Sequence, residues 1–121
     1  MDTPFYLVCK ADPTVQALLG GTSPRIYPFG SAPQGVVKPY AVYQWIGGSP
    51  FNRLDRRPDA DRADLQVDVY GLTQSSSTDV AKAIRYAVEL DSHLTSYRGT
   101  EREDATKLWR TGFDLTWLVN R

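Results

Sequence analysis

The chain has 121 residues, of which 41% are hydrophobic, and its 14 Lys plus Arg balance 14 Asp plus Glu to a formal net charge of zero. A chain of this length forms one domain that removes roughly two-thirds of its unfolded surface from water, so neither a metal nor a disulfide is needed to hold it. The balanced charge gives no basic excess pointing to nucleic acid or an acidic membrane, and the single cysteine, Cys9, excludes an intramolecular disulfide framework and fits a reducing compartment.

No basic leader followed by an apolar run opens the chain, and no stretch of about eighteen apolar residues occurs, so a soluble protein without a standard export signal is expected. Asp2-Thr3-Pro4 reads as a helix start, with Phe5, Val8 and Cys9 as its buried stripe. Asp12-Pro13 interrupts or restarts that helix. Val15, Leu18 and Leu19 then continue an apolar face until Gly20-Gly21 permits a left-handed exit. From Thr22 to Pro39, prolines, glycines and serines predict a surface loop around a brief extended piece, Arg25-Ile26-Tyr27.

A strand is predicted over Tyr40–Ile46, where aromatic and β-branched side chains fit a pleated surface, and Gly47-Gly48 is expected to end it. Residues 49–62 offer few apolar side chains and carry Arg53, Asp55, Arg56, Arg57, Asp59, Asp61 and Arg62, which reads as a protruding loop or hairpin arm. Alternation resumes over Ala63–Gly71: Leu65, Val67 and Val69 point one way, and Asp64, Gln66, Asp68 and Tyr70 the other. Ser76 with Asp79 suggests a capping box for a following helix, whose buried face is Val80, Ala83, Ile84, Ala87 and Val88.

Asp91 to Lys107 is again polar and contains the only histidine, His93. The last strand sets Trp109, Thr111, Phe113, Leu115, Trp117 and Val119 on one face against Arg110, Gly112, Asp114, Thr116 and Leu118 on the other. Large aromatics on a single face bury about 150–250 Å² each, which locates the core. The fold class expected is α+β: one domain over residues 1–121, two layers, an antiparallel sheet of three to four strands with helices packed on one face.

A catalytic reading needs a nucleophile with a base, a metal set or paired carboxylates in a pocket, and no such signature is present. His93 stands alone near the expected helix end, and a metal site joining it to Cys9 and Asp91 has a spacing that no motif supports. The glycine pairs lack a phosphate-binding frame and read as terminators. Tyr40, Tyr43, Trp45 and Tyr70 lack the basic groove that accompanies base-stacking platforms, which favours sheet packing. No catalytic residue, cofactor or metal is therefore assigned, and residues Arg53–Arg62 become the candidate subunit or tube interface, a solvated loop being the alternative.

The order of Arg25-Ile26-Tyr27-Pro28, Ala32-Pro33-Gln34-Gly35, Pro39-Tyr40 and Gln66-Val67-Asp68-Val69-Tyr70-Gly71 resembles the tail completion or tail terminator proteins of long, non-contractile-tailed bacteriophages. The resemblance covers essentially the whole chain. It implies a structural virion protein, assembled in the host bacterial cytoplasm, that forms a hexameric ring on the head-proximal end of the tail tube. It also implies that the ring ends tube polymerisation, joins the head's connector, contacts the tube protein, and lets DNA pass through its lumen without sequence-specific binding. The alternatives are another neck component, such as a head-completion or connector-adaptor protein, and a small ligand-binding bacterial α+β domain.

Overall fold

The computed structural model describes residues 4–50 and 60–120. Helix α1, Phe5–Ala11, is followed directly by α2, Pro13–Leu19. The break between them is local chemistry. Asp12 takes an extended conformation, its carboxylate accepts from the Thr14 and Val15 amides at 2.9 and 3.0 Å, and Pro13 occupies the first helical position, where no amide hydrogen is needed. Gly20 ends α2 at φ 97°, a left-handed conformation that glycine enters without steric cost.

The sheet has five strands in the order β1-β2-β3-β5-β4: β1 Ile26–Pro28, β2 Tyr40–Pro50, β3 Ala60–Gly71, β4 Ser92–Arg102 and β5 Trp109–Asn120. It is mixed, because β1 runs parallel to β2 while the other pairs are antiparallel. The expected α+β class holds, and the expected three to four antiparallel strands become five. The two added strands have physical reasons. Residues 29–39, rich in Pro and Gly, are the crossover that a parallel pair requires. In β4, most side chains are exposed on both faces, so the edge strand carries no apolar alternation to read. His93 consequently stands in β4 opposite Thr116, exposed.

Helix α3, Gln74–Val88, starts earlier than the Ser76-Asp79 pattern suggested. Thr73 is its cap, with Oγ1 accepting from the Ser76 amide at 3.1 Å. The helical layer covers one sheet face. Phe5, Cys9, Val15 and Leu19 meet Val80, Ile84 and Val88 over Ala63, Leu65, Val67, Val69, Phe113, Leu115 and Trp117 in one buried cluster. At about 25 cal/mol per Å², each large aromatic buried here contributes several kcal/mol before ordering entropy is subtracted. Two close polar features fix how α3 sits. Ser77 Oγ and Thr111 Oγ1 lie 2.9 Å apart, and Thr111 Oγ1 lies 2.8 Å from Thr100 Oγ1, so a hydroxyl chain ties helix to β5 and β4. A Cβ at Gly71 would come within 2.9 Å of the Ser77 backbone nitrogen, so this close approach requires glycine.

Candidate assembly surfaces

Among the described residues, the second sheet face has no helical layer, and its polar side chains are organised by one residue in an irregular strand. Register shifts in β4 between Leu94 and Ser96 and between Tyr97 and Gly99 leave Thr95 and Arg98 as additional residues against β5. Such bulges re-aim a side chain. Arg98 is aimed onto the open face, where Nη1 donates to Asp68 Oδ1 at 2.8 Å and Nε to Asp114 Oδ1 at 3.2 Å. Its Nη2 donates to the carbonyls of Val67 and Phe113 at 3.0 and 3.2 Å. Asp68, 5% exposed, thus has its charge paired at a depth where an unpaired carboxylate would be costly. Gln66 Nε2 donates to its second oxygen at 3.2 Å.

Toward one end of this face, the rings of Tyr40 and Tyr70 stack with centroids 5.2 Å apart. Arg110 donates to Glu101 and lies 3.9 Å from Glu103. Burial, then the Glu103 charge, raises both phenols above the ordinary tyrosine range; for Tyr70 the nearby Asp68 adds to this and its bond with Arg110 works against it. Desolvation pulls the Arg110 guanidinium down, but bonds to Glu101 and Tyr70 outweigh it and leave the pKa raised. Toward the other end, Thr116 Oγ1 donates to Asp64 Oδ1 at 2.8 Å and Arg62 approaches Asp64 at 3.7 Å. Along this face the charges are compensated in pairs.

On the helical side, burial and then the Asp12 charge push the Cys9 thiol up to about 12, which makes it a core group without thiolate character. Among the described residues, no three His, Cys, Asp or Glu side chains gather as a metal site. Among them, too, no helix is long and apolar enough to cross a membrane.

Over residues 4–120 the chain matches the family model for tail completion protein gp17. The chain belongs to the tail completion protein family. This tail completion family member is a structural tail protein, a component of the phage particle. No curated protein matches it. Among solved structures, a chain from the virion of a native gene transfer agent (GTA) particle has a similar fold, with a TM-score of 0.62 at 16% identity, covering 97% of this chain and 92% of that one.

Within this tail completion fold, the sequence-derived interface residues divide into two groups. Arg53, Asp55, Arg56, Arg57 and Asp59 lie outside the described residues. Asp61 and Arg62 stand in β3, where Asp61 pairs with Pro50 and Val119, and Arg62 with Ser49 and Leu118. Both flanks of the expected 49–62 arm are therefore strand. Gly47-Gly48 do not end β2, since ladder hydrogen bonds to β3 carry the chain through residues of poor strand propensity, with a register shift between Trp45 and Gly47 absorbing the irregularity. Reading by composition missed Arg98, Asp68 and Asp114. The available signal was Gly112, a glycine inside an aromatic-rich strand, which marks a close approach.

Proposed function

We propose that this chain assembles as a hexameric ring on the head-proximal end of the completed tail tube, stops tube polymerisation and presents the surface that joins the head's connector. The observation that carries this reading is the family match along 4–120, which spans the whole described domain. The fold shared with a chain of a GTA virion supports it, as does an open sheet face whose charges are already compensated for contact with protein. In this reading the ring leaves a lumen through which DNA passes without base-specific contact, and assembly takes place in the host bacterial cytoplasm. Residues Arg53, Asp55, Arg56, Arg57, Asp59, Asp61 and Arg62 supply a subunit or tube contact, in which alternating Arg and Asp set register and partner choice more than raw affinity. The work of the protein is structural, with no cofactor.

Native mass spectrometry over a concentration series, with electron microscopy of the protein mixed with tail tubes, tests the reading. A six-fold species and rings capping tube ends are expected. A protein that stays monomeric with tubes present, and leaves their ends bare, sinks it.

A further inference from the structure

Beyond the C-terminal end of α3 lies a groove of about 390 Å³ between the helix end and strands β4 and β5. Its apolar elements are Leu90, 93% exposed, and Leu118, 55% exposed, two of the chain's large hydrophobic side chains left in water. Its rim carries Glu89 and Asp91, which form no ion pair among the described residues, while Arg62 on the β3 side is turned to Asp64 at 3.7 Å. The carbonyl end of a 15-residue helix adds partial negative charge at the same place. An occupant should therefore offer apolar side chains interspersed with arginines.

The chain itself contains such a stretch. Residues 51–59 read Phe-Asn-Arg-Leu-Asp-Arg-Arg-Pro-Asp, with Phe51 and Leu54 as apolar anchors and three Arg against two Asp. It joins Pro50 to Ala60, at the sheet end where Ala60 pairs with Asn120. The groove residues Arg62 and Leu118 stand two residues inward of that end. We infer that the 51–59 segment of a second copy docks in this groove, its apolar anchors against Leu90 and Leu118 and its arginines against Glu89 and Asp91. Arg suits this task, because its planar fork pairs bidentately with carboxylates. Donor segment and receiving groove are different patches of one chain, which makes the contact heterologous, and a heterologous contact yields a ring when its rotation closes. The inference rests on the ring reading above and names the surface that receives the arm.

A charge swap tests it. Glu89→Lys with Asp91→Lys, and separately Arg53→Glu with Arg56→Glu and Arg57→Glu, should each keep the circular dichroism of the wild type yet lose the oligomer in native mass spectrometry. Mixing the two variants should restore assembly through the one interface in which both partners are reversed. In parallel, Leu54→Cys protein mixed with Leu90→Cys protein should give a disulfide between copies on oxidation. A groove variant that assembles normally, or the absence of that mixed disulfide in assembled protein, places the arm elsewhere and overturns the inference while the ring stands. A wild-type chain that never assembles overturns both.

Discussion

The guanidinium of Arg98 lies across Gly112, and a Cβ built at Gly112 would stand 2.5 Å from Arg98 Nη1 and 2.7 Å from Asp68 Oδ1. The glycine is thus the floor on which a buried carboxylate and its cation meet. Gly112→Ala should destabilise the fold by about 1–3 kcal/mol through overpacking. Arg98→Met, which keeps the aliphatic stem but strands Asp68, should cost about 1.5–3 kcal/mol, the range for hydrogen bonds to charged groups. Urea midpoints for both variants check this, and wild-type midpoints would show that the network is not stabilising.

The core prediction compares neighbours on opposite faces of β5. Trp117, 3% exposed, sits in the helix-covered cluster, so Trp117→Ala should cost about 3–5 kcal/mol. Thr116→Ala removes only the bond to Asp64 and should cost about 1 kcal/mol. Equal urea midpoints would mean that the two faces have been misassigned.

Gly71 and Ser77 provide a third test. Since a Cβ at position 71 would meet the Ser77 nitrogen at 2.9 Å and Ser76 Cβ at 3.2 Å, Gly71→Ala must push the first turn of α3 outward. The expected cost is about 1–3 kcal/mol, with faster amide exchange over residues 77–80 than in the wild type. Unchanged exchange there would show that the turn accommodates the methyl group.

Cys9 predicts an alkaline effect. Its folded pKa of about 12 lies above the ordinary 9.0, so between these values the folded state holds a proton that the unfolded state releases. Stability from this group is full below pH 9 and is lost as pH rises toward 12. The advantage of the wild type over Cys9→Ala, set at pH 8 by the lost packing, should therefore shrink by pH 10.5 in urea titrations. Thiol reagents at pH 8 should label the folded protein far more slowly than the unfolded one. A constant advantage across that interval, or fast labelling of the native state, counts against burial of the thiol.

The elements that place the core were legible because their residues bury one face with a clear period. Leu65, Val67 and Val69 in β3 and Phe113, Leu115 and Trp117 in β5 alternate, while Val80, Ile84 and Val88 recur at helical spacing. What escaped depends on tertiary context. Strand β4 pairs with β5 through its backbone while its side chains stay mostly in water, and β1 is three residues long and rests on β2. The role of Arg98 arises from a bulge, which no periodic pattern reports. For the candidate interface, the charged run was visible, but the groove with Leu90 and Leu118 joins residues distant in sequence.

The irregularity of β4 bears on how safely the protein can accumulate before it is used. An outer strand that is straight and apolar would template the addition of further strands, the usual opening to fibrous aggregation. Here Thr95 and Arg98 break the ladder spacing, Gly99 bends the backbone at φ 81°, and His93, Glu101 and Arg102 keep the rim charged or polar. Copies made in excess of their sites of use can therefore crowd together without zipping edge to edge.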